Sequence, residues 1–105
     1  MIKVFQIALT DAEVDLINTV GWEATPRTQA AGKYYSDRTS ADYDLYDHVA
    51  TVDTDDMEEA FELMNLWQQP DRVTKIGECH SLSVGDFLET DKGRFICALF
   101  GFKPL

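Results

Sequence analysis

The sequence predicts an α+β domain: a mostly antiparallel sheet of four or five strands with two helices packed on one face. Three observations predict it. Short β-forming runs lie toward both ends of the chain, two segments carry apolar residues at helical spacing, and Gly-Asp or Asp-Lys-Gly turn signals punctuate the C-terminal part. A length of 105 residues suits a single domain spanning 1–105. An apolar share of 45% is that of a globular chain.

The elements follow in order. Lys3 to Leu9 reads as a strand, with Val4, Phe5, Ile7 and Leu9 as its β-forming or apolar residues. Thr10-Asp11-Ala12-Glu13 is a capping-box pattern, and Val14, Leu16, Ile17 and Val20 then form an apolar stripe ending at Gly21. A helix over about Asp11–Val20 is expected. Pro26, Gly32 and many polar residues predict a long loop through Lys33, and 40–46 reads equally as a short helix or an irregular acidic segment. His48–Val52 is a second strand. Asp53 and Thr54 are good N-cap residues for the next helix, whose first turns hold Asp55, Asp56, Glu58 and Glu59, where negative charge suits the helix dipole. Met57, Ala60, Phe61, Met64 and Trp67 make its apolar face, and Pro70 ends it. Beyond it, 72–76 and 81–84 can be extended. Gly85-Asp86 is a turn signal, 87–90 a strand, Asp91-Lys92-Gly93 a hairpin turn, and Arg94–Phe100 a strand apolar on both faces.

Charge is the unusual feature. Nineteen carboxylates against nine basic residues give a net charge of −10. Such a surface repels nucleic acid and anionic lipid and attracts basic partners, so direct nucleic-acid binding is not expected. Two cysteines make no disulfide framework, the N-terminal run lacks a signal-peptide pattern, and no stretch approaches the ~20 apolar residues of a membrane span. A reducing cytoplasm is the expected compartment.

The second half carries a recognisable order of residues. An acidic helix with Met57-Glu58-Glu59-Ala60-Phe61-Glu62, then Asn65 and Pro70, precedes His80-Ser81-Leu82-Ser83-Val84-Gly85-Asp86, a short hairpin with Gly93, and Phe100-Gly101-Phe102. Over residues 53–105 this resembles the YodL-like small domains of phages, plasmids and conjugative elements. The resemblance implies a mobile-element accessory protein acting on host defence, and it carries over no catalytic residue.

The residues themselves offer little catalytic chemistry. In an extended segment, the side chains of Cys79 and His80 point to opposite faces and cannot form a dyad. Cys79, His80, Cys97 and His48 are zinc-ligand types without the close-paired spacing of a structural zinc site. Ser81, Ser83 and Asp86 suit local backbone hydrogen bonds at a turn. No Gly-rich phosphate loop and no H-E-x-x-H or G-x-S-x-G motif is present. No enzyme activity, cofactor or metal is expected.

The carboxylates remain. Between Asp37 and Glu62 lie ten acidic residues and one arginine, Arg38. Acids one helical turn apart stand ~6 Å from each other, comparable to phosphates along a DNA strand. The same acids equally suit a solvated helix face. With the resemblance, the expected function is non-enzymatic inhibition of a host nucleic-acid-handling protein, such as a restriction enzyme or CRISPR component, by nucleic-acid mimicry. The expected contact residues are Asp37, Asp42, Asp44, Asp47, Asp55, Glu58, Glu59 and Glu62, with Tyr43 and Tyr46. An interaction or assembly module anchored by Trp22, Tyr34, Tyr35, Tyr43 and Tyr46, a homodimer included, is one alternative. A small-molecule domain using the sheet near His80 and Asp86 is the other.

Overall fold

Six antiparallel strands form one sheet in the order β3-β2-β1-β4-β5-β6. The structure, a computed structural model, describes residues 1–31, 43–98 and 100–105. The strands are β1 (Ile2–Gln6), β2 (Asp47–Val52), β3 (Val73–Lys75), β4 (Phe87–Thr90), β5 (Gly93–Cys97) and β6 (Phe102–Pro104). The helices are α1 (Asp11–Val20), α2 (Pro26–Ala31) and α3 (Met57–Leu66). The α+β class is as expected, while the strand count exceeds the four or five read from the sequence.

Alternation along β1 decides which face is the core. Ile2 and Val4 point inward with Lys3 outward between them, and cross-strand pairing sets Ile2 against Val52 and Val4 against both Ala50 and Leu88. Ala60, Leu63 and Met64 of α3, together with Val73 and Leu82, close this cluster. On the other face Phe5 stacks on Phe87 at 4.5 Å and on His48 at 5.1 Å, and Tyr46 meets Phe87 edge-on. A bulge in the β1–β2 register, at Val4/Phe5, lets both faces fill.

Among the described residues, α3 alone supplies helical residues to this core cluster; α1 has no buried residue, so the expected packing of two helices on one face holds for one. The capping box at α1 is formed as read: Glu13 N donates to Thr10 Oγ1 and Thr10 N to Glu13 Oε1. α3 is capped by Asp56, which accepts from the Glu58 N–H, rather than by Asp53 or Thr54; Thr54 Oγ1 instead accepts from the Asp56 N–H. α2 lies where a loop was expected. Pro26 starts this helix, being compatible with a first turn whose N–H needs no partner, and Thr25 and Thr28 exchange side-chain-to-backbone hydrogen bonds across it.

Three strand boundaries also differ. β1 stops at Gln6, not Leu9. Residues 81–84 form no strand, because Asp86 takes the Ser83 N–H and Gln6 holds the adjacent His80 backbone. The last predicted strand ends at Cys97, and the chain doubles back through Gly101, whose φ of 74° favours glycine, into the edge strand β6.

Candidate functional site

α3 presents the expected carboxylates in two different states. Glu59 accepts from Arg72 Nη2 at 2.6 Å, and Arg72 also donates to the Asp53 carbonyl, so this ion pair ties α3 to the start of β3. Hydrogen bonding to Thr54 and to Arg72 holds the Glu59 carboxyl below its ordinary range. Asp55 pairs with the Met1 ammonium at 2.6 Å, which likewise lowers its carboxyl. Glu58 and Glu62 are exposed one turn apart on the helix, and Asp53 and Asp56 are exposed just before it. A dent of about 70 Å³ beside them is lined by Glu59, Glu62, Leu66, Gln69 and Arg72 among others. That is well under the ~300 Å³ at which small-molecule pockets begin, so this end of α3 offers a surface rather than a cavity.

The remaining predicted contact residues sit elsewhere. Asp37 and Asp42, and the aromatic candidates Tyr34 and Tyr35, lie outside the described residues. Tyr43 opens a 3-10 turn over Tyr43–Leu45, and Asp44 within it is exposed. Asp47 begins β2, whereas Asp55 follows its far end, and the five-residue rise between Asp47 and Val52 is roughly 17 Å at ~3.3 Å per residue. The acidic region is thus distributed between two ends of a strand. Tyr46 is half-buried, and its hydroxyl donates to the Gly85 carbonyl, joining the approach to β2 to the turn before β4.

Arg27, which the sequence does not mark, organises the Asp47 end. Its Nε donates to both Glu13 oxygens, at 2.9 and 3.2 Å, Nη1 to the Leu45 carbonyl at 2.9 Å, and Nη2 to the Ala8 carbonyl and Asp47 Oδ2, both at 2.6 Å. One planar fork therefore joins the exit of β1, the capping box of α1, α2 and the start of β2. The only sequence signal is a lone arginine next to Pro26, inside the predicted loop.

A second polar cluster is buried. Gln6 occupies the third inward position of β1, where alternation calls for an apolar side chain, and it is fully buried. Its Nε2 donates to the His80 carbonyl at 2.9 Å and to Asp86 Oδ2 at 3.1 Å, while His80 N donates to Gln6 Oε1 at 3.0 Å. Ser83 N donates to the same Asp86 oxygen at 2.9 Å. Burial raises the Asp86 carboxyl to about 7, against the opposing pull of the His80 charge and of the Ser83 and Gln6 hydrogen bonds. His80 Nδ1 stands 3.9 Å from Asp86 Oδ2 and 2.7 Å from the Ser81 carbonyl. The 80–86 segment is therefore clamped onto the central strand. Among the described residues no buried side-chain nitrogen or oxygen lacks a partner, so the cluster spends its polar atoms internally.

Cys97 is buried, and burial first, then the charges of Asp86 and Glu58, pushes its thiol up to about 11. Cys79 is half-buried against the core. Among the described residues no three His, Cys, Asp or Glu are grouped to hold a metal ion, and no helix is long and apolar enough to cross a membrane.

No family model, curated protein or solved structure matches the chain.

Proposed function

We propose that this protein is a non-enzymatic inhibitor that engages a basic nucleic-acid-handling protein through carboxylates, in place of nucleic acid. The observation carrying this reading is the state of α3. Glu58 and Glu62 stand exposed one turn apart, Asp53 and Asp56 are exposed at its start, and the neighbouring Arg72 is already neutralised by Glu59. The chain's net charge of −10 adds a long-range field that steers cationic surfaces toward such a stripe. The resemblance of residues 53–105 to YodL-like domains supplies the setting, a phage or plasmid accessory protein in a bacterial cytoplasm, with a restriction or CRISPR component as target. That part of the reading is analogy.

The test is a pull-down from bacterial lysate on the immobilised chain, washed at low and high salt and with duplex DNA as competitor. A nuclease or other nucleic-acid-binding protein should be retained at low salt and released by salt or DNA. Its retention should fail on Glu58→Gln/Glu62→Gln, a pair that leaves the Glu59–Arg72 bridge intact. Capture that survives this double substitution, or that high salt leaves unchanged, overturns the reading.

A further inference from the structure

α3 turns two large apolar side chains outward. At 3.6 residues per turn, the outer arc of this helix passes through Phe61, Glu58, Glu62 and Leu66 in that order, with Ala60, Leu63 and Met64 on the inner side. Phe61 is 38% exposed and Leu66 60%. A solvated helix face is normally polar, yet half of the exposed positions within α3 are large and apolar. Phe61 is supported from the side, where its ring meets that of Phe102 in β6 edge-on with centroids 6.5 Å apart. Glu58, Glu62 and Leu66 make one ridge at intervals of four, Phe61 and Asn65 make the next, and a shallow groove runs between them.

The carboxylates belong to this same face. Glu58 is three residues before Phe61 and Glu62 four before Leu66, the spacings at which helical side chains are neighbours. α3 contains no lysine or arginine. Arg72 and Lys75, which pack against it, are taken up by Glu59 and by the Trp67 ring, 4.6 Å from Lys75 Nζ. The dent beside Leu66 gives room to one long side chain, its stem along Leu66 and its cationic head at Glu62. A second copy would set Glu58 and Glu62 against their own kind, on chains that each carry −10. An anionic bilayer is repelled in the same way. A polyamine would meet the carboxylates but leave Phe61 and Leu66 in water. A helix with apolar side chains one turn apart and Lys or Arg beside them satisfies both.

We infer that the outer face of α3 docks a basic amphipathic helix of the target protein. The inference rests on the carboxylates of α3 being the contact surface, and adds the element they recognise and two apolar anchors. Apolar side chains of the incoming helix pack on Phe61 and Leu66, while its cations meet Glu58 and Glu62, so that two helices join by ridges and grooves.

The probe is a synthetic amphipathic helix of leucine and lysine, with a scrambled peptide of the same composition as control. Binding is followed by titration calorimetry at low and high salt and by backbone NMR shifts on the full chain. The amphipathic peptide should bind at least ten-fold more tightly than the scrambled one and shift residues 57–66. Phe61→Gln/Leu66→Gln should bring it down to the level of the scrambled peptide. Leu66→Gln alone, at the more exposed position, should weaken it at least three-fold, and the NMR spectrum checks that each variant is folded. Glu58→Gln/Glu62→Gln should weaken both peptides and reduce the salt dependence. Equal binding of the two peptides that still falls on Glu58→Gln/Glu62→Gln overturns this inference and leaves the carboxylate reading standing. Binding indifferent to that pair overturns both. A dimer of the free chain broken by Phe61→Gln/Leu66→Gln would make a second copy the occupant and overturn the inference as well.

Discussion

Replacing Asp86 with asparagine should make the protein's stability less dependent on pH, in a direction the structure sets. Asp86 is almost fully buried, with Gln6 and the Ser83 N–H on one of its oxygens. Its carboxyl is raised to about 7 in the fold, from 3.8 in the absence of burial. Below pH 4 both folded and unfolded chains hold the proton, and the clamp is intact. As pH rises from about 4 toward 7, the unfolded chain gives the proton up before the folded one, so the folded state loses stability across that window. Above about 7 both are ionised, and the loss is complete. A shift of about three pH units, with the opposing pull of the His80 charge already included, corresponds to roughly 4 kcal/mol at ~1.4 kcal/mol per unit, taken as a ceiling. The substituted amide is neutral throughout and keeps an acceptor for Gln6 and Ser83, so this contribution vanishes. The assay is urea unfolding of both proteins at intervals from pH 4 to 8. The stability of the Asp86→Asn variant relative to the parent should rise with pH by about 2–4 kcal/mol. The difference matters rather than the absolute curve, because Asp55 and Glu59, lowered by their partners, change the stability of both proteins alike at the acid end. A difference that stays flat from pH 4 to 8 would refute the claim that Asp86 is protonated when the clamp is strongest.

Arg27→Lys should destabilise by about 1–3 kcal/mol in chemical denaturation, since an ammonium cannot reproduce a fork that reaches Glu13, Asp47 and two carbonyls at once. Full stability in that variant would show that the bonds are replaced by water at no cost. Met64→Ala, at a fully buried core position under the sheet, should cost about 2–5 kcal/mol in the same experiment. Cys97, with a thiol raised to about 11, should resist alkylation at pH 8 in the folded protein while Cys79 reacts, and the two should react alike in denaturant. Peptide mapping after timed labelling reads the order, and faster labelling of Cys97 would contradict its burial.

Local chemistry made much of the fold legible before any tertiary contact was considered. Thr10 and Glu13 form their capping box over a single turn, α1 ends at Gly21, and the 87–97 hairpin turns at Asp91-Lys92, with Gly93 already paired to Thr90 as the first residue of β5, all through interactions a few residues long. The apolar face of α3 was readable in part: Ala60 and Met64 are buried as their spacing predicts, but Phe61 is exposed, Leu63 is buried in its stead, and the helix ends at Leu66, with Trp67 in the left-handed conformation, before Pro70 is reached. β6 was not: it is three residues long, contains Pro104, and exists because β5 offers it an edge. α2 was missed for a different reason, since Pro26 breaks a helix in its interior but begins one at its first turn.

Of the candidate contact residues, the exposed pair Glu58 and Glu62 follows from sequence alone, because charge and helical spacing are sequence properties. What became of Asp47, Asp55 and Glu59 depended on which cation the fold delivered: Arg27 from 20 residues away, Met1 from 54, and Arg72 from 13. The buried cluster depended on tertiary structure most of all. Gln6 and Asp86 are 80 residues apart, and each alone reads as an ordinary polar residue in a strand or turn. Sequence determined the composition, the charge and the elements whose hydrogen bonds close locally. Tertiary structure decided which charges are cancelled and which polar groups are buried, because both are settled by partners that only chain folding brings within about 3 Å.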